Sequence, residues 1–122
     1  MRKHQELRVW QQSMDLVEQI YTLTKHFPSE ERYGLTSQMR RCAVSIPSNI
    51  AEGAARGSTL EFIRFLHIAQ GSLSELETQV LIARRLSYLS DITACINNIQ
   101  QISSQLGGLI KHLKSRQNST AP

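Results

Sequence analysis

The sequence predicts an all-α protein, specifically an antiparallel up-down-up-down four-helix bundle. Three observations support this prediction. Apolar residues recur at steps of three and four along four separate stretches, which is the period of an amphipathic helix. No stretch has the apolar–polar alternation that is typical of a β-strand. The connections between the stretches are short, and short connections make neighbouring helices antiparallel.

The domain organisation follows from length and composition. A chain of 122 residues is long enough for one domain with a single core. Its hydrophobic content of 40% and charged content of 20% are ordinary for a soluble globular protein. We predict an N-terminal lead-in over residues 1–8, the bundle over residues 9–114, and a disordered polar tail over residues 115–122.

The first predicted helix runs from about Val9 to His26, and Phe27-Pro28 ends it because proline cannot continue a helix. One apolar stripe of this helix faces the core. A second stripe lies beside the first and consists of Trp10, Met14, Val17 and Tyr21. A face this wide predicts contact both with its own bundle and with something else, such as a neighbouring subunit.

The second predicted helix is capped by Thr36 or Ser37 and runs to about Ala55. Pro47 lies inside it, and a proline in a helix interior removes one backbone hydrogen bond at a cost of about 3 kcal/mol. Either a new helix begins near Pro47, or a kinked helix is held by its neighbours. Three polar side chains nearby can hydrogen bond locally to the backbone: Ser45, Ser48 and Asn49.

The third predicted helix begins with a capping box, in which Ser58 and Glu61 each accept a hydrogen bond from the other's backbone amide. It ends near Leu86 or Tyr88. Its apolar residues alternate at steps of four and three, which indicates a bundle seam. The seam consists of Phe62, Leu66, Ala69, Leu73, Leu76, Val80 and Ala83, and it is widened by Phe65 and Ile68.

The fourth predicted helix is capped by Ser90, with Asp91 in its first turn near the positive end of the helix dipole. Gly107-Gly108 interrupts it, which predicts a kink, fraying beyond Leu106, or a close contact with another helix. The inner side is lined by Ile92, Ile96, Ile99, Ile102, Leu106, Leu109, Ile110 and Leu113.

The sequence contains no recognisable catalytic or metal-binding arrangement. None of the histidines, namely His4, His26, His67 and His112, has a second ligand at the spacing that places two on one helical face. Ser45, Ser48 and Ser72 have no histidine placed to activate them. Cys42 and Cys95 lie on apolar faces and are expected to be buried free thiols. We therefore predict no enzyme activity, no metal and no cofactor.

Carboxylates are the remaining candidates for acid–base chemistry. Glu75 and Glu77 are two residues apart and point to different sides of their helix. Glu52 stands four residues before Arg56, which favours an ion pair within the helix. Capping, pairing or subunit contacts explain these residues better than catalysis does.

Positive charge is the main functional signal. Lys and Arg number 14 against 10 Asp and Glu, which gives a net charge of +4 and a pI near 9.4. Such a balance favours an anionic partner such as nucleic acid, whereas the alternative is a solvated face with local ion pairs. No base-reading motif is present, so binding through phosphates is expected. The candidate nucleic-acid-binding residues are Arg40, Arg41, Arg56, Arg64, Arg84, Arg85, Lys111 and Lys114.

One segment carries a family resemblance. Residues 45–53 read SIPSNIAEG and are followed by Arg56-Gly57, Glu61-Phe62 and Phe65-Leu66. Other matching stretches lie in the same order along the chain, including Glu31-Arg32-Tyr33-Gly34-Leu35, Gln38-Met39-Arg40-Arg41 and Gly71-Ser72-Leu73. Over residues 7 to 90 the chain resembles the four-helix-bundle proteins encoded in intervening sequences of bacterial 23S rRNA genes. It is more distantly similar to accessory proteins of reverse transcriptases in diversity-generating retroelements.

The resemblance implies a four-helix bundle, commonly a ring-like pentamer with a basic surface and a role linked to RNA. It supplies no catalytic residues. A structural role is expected for the motif residues Pro47, Ser48, Asn49, Glu52 and Gly53. A signal peptide and a membrane-spanning apolar run are both absent from the sequence, so a cytoplasmic protein is expected. The resemblance implies a bacterial one.

We therefore expect a non-enzymatic homo-oligomer that associates through the extra apolar stripes of the first and third helices and binds RNA through its basic residues. The alternative is a protein-interaction scaffold that acts as an accessory subunit of a reverse transcriptase.

Overall fold

The computed structural model describes residues 3–119, which form four α-helices and two short 3-10 turns. Helix α1 spans Arg8–Thr24, α2 spans Leu35–Ala55, α3 spans Thr59–Arg85 and α4 spans Thr93–Ser119. The 3-10 turns are Lys3–Glu6 and Ser29–Glu31. Over the described range there is no strand, so the prediction of an all-α protein with four helices is confirmed.

Each helix packs against two others, in the cycle α1–α2, α2–α3, α3–α4 and α4–α1. The core lies on the common axis of the bundle and takes aliphatic side chains from all four helices, each worth about 1.5–3 kcal/mol when fully buried. The predicted seam of α3 is confirmed, since all its members except the half-buried Phe62 are buried. The largest fully buried side chains include Leu16, Ile20, Met39, Ile46, Ile50, Leu66, Leu73, Leu76, Ile99, Ile102 and Leu106.

Helix α2 runs through Pro47 without a break, so the alternative in which a new helix begins at this proline is wrong. Pro47 itself is buried, and the fully buried Ile46 and Ile50 flank it. Asn49 donates through Nδ2 to the carbonyl oxygen of Ser45 at 2.8 Å. Apolar packing around the proline offsets the hydrogen bond that the helix loses there.

The start of α2 differs from the prediction. The helix begins at Leu35, and neither Thr36 nor Ser37 caps it, because both lie inside its first turn. Instead, the carboxylate of Glu31 accepts a hydrogen bond from the Leu35 amide at 3.1 Å. The hydroxyl of Ser37 donates to the Gly34 carbonyl at 3.1 Å. A carboxylate from the preceding turn thus takes the place of the expected hydroxyl cap.

Helix α4 begins at Thr93, so the prediction that Ser90 caps it is wrong. Asp91 accepts a hydrogen bond from the Thr93 amide at 3.0 Å, and this bond is the main reason why the pKa of Asp91 is lowered. The carboxylate stabilises the amino-terminal end of α4 from just outside the helix.

The capping box of α3 is half formed. Ser58 accepts a hydrogen bond from the Glu61 amide at 3.3 Å, as predicted. The carboxylate of Glu61 accepts instead from Arg64 at 2.7 Å. A charged donor three residues along the same helix is preferred to the neutral backbone amide.

Helix α4 continues through Gly107 and Gly108 to Ser119, so the predicted alternative of fraying beyond Leu106 is wrong. A Cβ added at either glycine would meet nothing within 4 Å, which also rules out a close helix contact within the described chain. Residues 115–119 are helical, so the predicted disordered tail is wrong over this range, and residues 120–122 lie outside the described residues. No helix described here is both long and apolar enough to cross a bilayer.

The two ends of the bundle differ. At one end, Tyr88 donates a hydrogen bond to Glu31 at 2.9 Å and packs against Phe27 with ring centroids 5.3 Å apart. These contacts join the α1–α2 connection to the α3–α4 connection. At the other end, the Lys3–Glu6 turn, the beginning of α3 and the last turns of α4 surround an open cleft.

Candidate nucleic-acid interface

The close approach of α2 and α3 near Gly53 organises one group of candidate residues. A Cβ added at Gly53 would lie 2.6 Å from the Cβ of Phe65, so only glycine allows this approach. Phe65 is buried, and two guanidinium groups lie over its ring. Arg56 lies 5.0 Å and Arg64 lies 4.6 Å from the centre of its ring. Both distances fall within the range of a cation–π interaction.

Both of these arginines are already paired with carboxylates. Arg56 forms an ion pair with Glu52 at 2.8 Å, which confirms the predicted pairing within α2. Arg64 forms one with Glu61 at 2.7 Å, and this hydrogen bond lowers the pKa of Glu61 and raises that of Arg64. We call these four charged residues and Phe65 the Phe65 cluster. Its formal charges cancel, so its attraction for a phosphate is reduced.

A polar seam continues along the same α2–α3 contact. Ser45 and Ser72 share a hydrogen bond of 2.7 Å, and Asn49 donates to the Ser45 hydroxyl at 3.0 Å. The Cys42 thiol donates to the Ser72 carbonyl at 2.9 Å. Asn49 forms the local backbone hydrogen bond that the sequence predicts, whereas Ser45 bonds to Ser72 on α3 and Ser48 is exposed.

The two cysteines are buried free thiols, as predicted. Burial, and then the charge of Glu75, raises the pKa of Cys42 to about 12. Burial raises the pKa of Cys95 to about 11. A thiol with a raised pKa is protonated at neutral pH and is a weak nucleophile. Across residues 3–119 there is also no group of three or more potential ligands that could hold a metal ion.

Arg40 belongs to the contact between α1 and α2. Its Nε donates to the hydroxyl of the buried Thr24 at 2.9 Å, and its guanidinium lies 4.6 Å from the centre of the Tyr21 ring. Arg41, the next residue, is exposed. The sequence presents the two arginines as one pair, but the helix directs Arg40 toward α1 and Arg41 toward solvent.

Arg84 and Arg85 lie in the last turn of α3 and are both exposed. Neither forms an ion pair with another described residue, although Arg84 contributes a small part of the lowering of the Asp91 pKa. Cations at the carboxyl end of a helix are favoured by the helix dipole. Exposed apolar side chains surround this pair, namely Leu81, Ile82 and Leu86.

Lys111 and Lys114 line an open groove of about 570 Å³ beside α4, together with Gly107, Ile110 and Ser115. Both lysines are exposed. The structure therefore brings the candidates together in separate groups and not in one patch. Arg64 and Arg84, for example, are about 30 Å apart along α3, from a rise of about 1.5 Å per residue.

Comparison with known proteins identifies the family. Residues 5–108 match the family described as 23S rRNA-intervening sequence protein. The chain belongs to this family. The matched range includes α1 to α3 and all the candidate arginines, whereas Lys111 and Lys114 lie beyond it. No curated protein matches the chain.

A solved structure shares the fold of this chain. It is a protein with unknown function from the S23 ribosomal protein family of Bacteroides thetaiotaomicron, with 24% sequence identity and a TM-score of 0.75. The match covers 84% of the present chain and 98% of the other chain. The resemblance to reverse-transcriptase accessory proteins stays a prediction.

Sequence reasoning missed the open cleft at the end of the bundle. Its volume is about 620 Å³. Its walls come from segments at the two termini and in the middle of the chain, so no local motif could reveal it. Lys3, His4, His112 and Arg116 all line this cleft, which we call the end cleft.

Proposed function

We propose that this protein is a non-enzymatic, self-associating bundle that binds RNA through its phosphate backbone. The observation that carries the proposal is a set of exposed cations without an ion pair to any described residue. The set consists of Arg41, Arg84, Arg85, Lys111 and Lys114. Exposed cations without a protein carboxylate can neutralise phosphates and release the counterions bound to them.

Self-association would join these separate groups into a larger field. Candidate contact surfaces are the second stripe of α1, where Met14 and Tyr21 are each 43% exposed, and Ile68 on α3, which is 41% exposed. Trp10, Val17 and Phe65 are less available, because they pack against or within their own bundle. A cytoplasmic ring of five copies would carry about +20 charges, which attracts polyanions.

The proposed bundle is antiparallel with up-down-up-down connections. Two glutamine contacts between α1 and α4 support this direction: Gln12 accepts from Gln105 at 2.6 Å, and Gln19 accepts from Asn98 at 2.8 Å. The later residue of α4 contacts the earlier residue of α1, which is the order expected for antiparallel helices.

The proposed absence of catalysis is supported by the polar seam. Ser45, Ser72 and Cys42 have hydrogen-bond partners that hold α2 to α3. The protonated thiol also lacks the thiolate character that a nucleophile requires.

A second candidate function is a scaffold for a protein partner such as a reverse transcriptase. The exposed aliphatic side chains of Leu81, Ile82 and Leu86 favour it, because they surround Arg84 and Arg85 at one end of α3. In that case the same surface would contact a protein and RNA affinity would be modest.

The test is a titration of nuclease-treated protein with a structured RNA at several salt concentrations, after light scattering has given the mass. A discrete oligomer whose RNA affinity falls by about tenfold or more between 50 and 200 mM salt supports the proposal. A discrete oligomer that does not bind RNA contradicts it and favours the protein scaffold. A particle with the monomer mass of 13.8 kDa contradicts self-association.

A further inference from the structure

The end cleft combines an apolar wall with a polar rim. Phe62 and Leu109 lie in the wall and are half-buried against the core. Lys3, His4, His112 and Arg116 also line the cleft, and among its described lining residues the one carboxylate is that of Glu6. The cleft therefore has an aromatic surface on one side and an excess of hydrogen-bond donors and positive charge around it.

The dimensions suit a small planar ligand with an anionic group. Ligand-binding clefts usually measure about 300–1,000 Å³, and the end cleft falls inside this range at about 620 Å³. A nucleobase can stack on an aromatic ring without regard to its identity, and cations beside the ring can hold the attached phosphate.

The surroundings of the cleft favour a longer strand over a free metabolite. His112 and Arg116 lie in the cleft, whereas Lys111 and Lys114 line the neighbouring groove on the same helix. A strand with one nucleotide in the cleft would meet both lysines as it leaves.

We propose that the end cleft binds one unpaired nucleotide of single-stranded RNA, with the base against Phe62 and the phosphate on the basic rim. This inference rests on the proposed RNA-binding function and names the part of the RNA that the cleft recognises. Arg84 and Arg85, about 30 Å away along the axis of α3, would contact other phosphates.

The chain contains its own reporter. Trp10 is the only tryptophan, and its ring packs edge-on against His4, which lines the cleft, with centroids 5.4 Å apart. A ligand in the cleft should therefore change the Trp10 fluorescence. The probes are an oligoadenylate of five nucleotides, adenosine monophosphate, inorganic phosphate and a blunt RNA duplex.

His112→Glu places a negative charge in the cleft at an exposed position. His67→Glu is its control, because His67 is an exposed histidine of α3 outside the cleft. Phe62→Leu keeps the wall apolar but removes the aromatic ring, and its folding is checked by circular dichroism. We expect His112→Glu and Phe62→Leu each to weaken oligoadenylate binding by about tenfold, whereas His67→Glu changes it by less than about twofold.

The outcomes separate this inference from the proposed function. If wild-type protein binds structured RNA but neither cleft variant alters oligoadenylate binding, the inference is overturned and the proposed function stands. If inorganic phosphate binds as tightly as adenosine monophosphate, the cleft holds only an anion and the nucleotide assignment is overturned. If the protein binds neither structured RNA nor oligoadenylate, both proposals fail.

Discussion

The two ends of α3 present the same side chain in opposite electrostatic settings. Near its beginning, Arg64 is paired with Glu61 and stacked on Phe65. In its last turn, Arg84 and Arg85 have no ion pair with a described residue. The residues three and four positions earlier explain the difference, since Arg64 has a glutamate there whereas Arg84 and Arg85 have only Val80, Leu81 and Ile82. The number of arginines alone therefore overstates the charge available to a phosphate.

Thiol reactivity tests whether the α2–α3 contact around Cys42 and Ser72 is as closed as the structure shows. With the pKa of Cys42 raised from 9.0 to about 12, its thiolate fraction at pH 8 should be about a thousandfold lower than that of a free thiol. We expect both cysteines to react with a thiol reagent only after denaturant is added. Rapid labelling of Cys42 in the native protein would show that the contact opens readily.

The same thiol gives a pH dependence. The folded protein holds the Cys42 proton more tightly than the unfolded chain does, so this contribution to stability is fully present below pH 9. We expect this contribution to be lost as the pH rises from about 9 toward 12. In the Cys42→Ala variant, the free energy of unfolding should therefore decrease less over this pH range than in the wild type.

The next effect concerns the glycine that allows Phe65 to approach α2. Gly53→Ala places a Cβ 2.6 Å from the Cβ of Phe65 and should lower the free energy of unfolding by about 1–3 kcal/mol. Gly71→Ala is the control, because a Cβ there meets nothing within 4 Å in this chain. In urea denaturation, the free energy of unfolding of the control should equal that of the wild type or exceed it by up to about 1 kcal/mol. Equal stability of the two variants would contradict the close approach.

A smaller effect should appear when the paired arginines are released. The double variant Glu52→Gln, Glu61→Gln removes both carboxylates from the Phe65 cluster, so Arg56 and Arg64 become available to phosphates. We expect RNA affinity at low salt to rise by about three- to fivefold more than in the control Glu18→Gln, Glu30→Gln, which changes the net charge equally. Equal gains in the two variants would show that only total charge matters.

The apolar period of the sequence predicts the four helices and the core residues, because burial of one face determines both. The helix starts were predicted less well. The sequence predicts hydroxyl caps from Thr36 or Ser37 for α2 and from Ser90 for α4, but carboxylates accept from the first amides instead. Glu31 comes from a preceding 3-10 turn that periodicity does not reveal.

The candidate interface was predictable only in part. Local spacing identifies the ion pair of Glu52 with Arg56, and the same rule applied to Arg64 and Arg84 would have separated paired from unpaired arginines. The engagement of Arg40 with Thr24 requires the packing of α1 on α2. The end cleft requires Lys3 and Arg116, which are far apart in the sequence, to line the same space, and nothing in the sequence between them signals that arrangement.

Two double variants that each remove two positive charges test whether the unpaired cations bind the RNA. One is Arg84→Ala, Arg85→Ala and the other is Arg56→Ala, Arg64→Ala. RNA affinity is measured over a salt series, with light scattering to check assembly. We expect the first variant to lose about tenfold in affinity, with a salt dependence that corresponds to about two fewer phosphate contacts. The second variant should lose less than about threefold. Equal losses, or a larger loss in the second variant, would contradict the assignment of RNA binding to the unpaired cations.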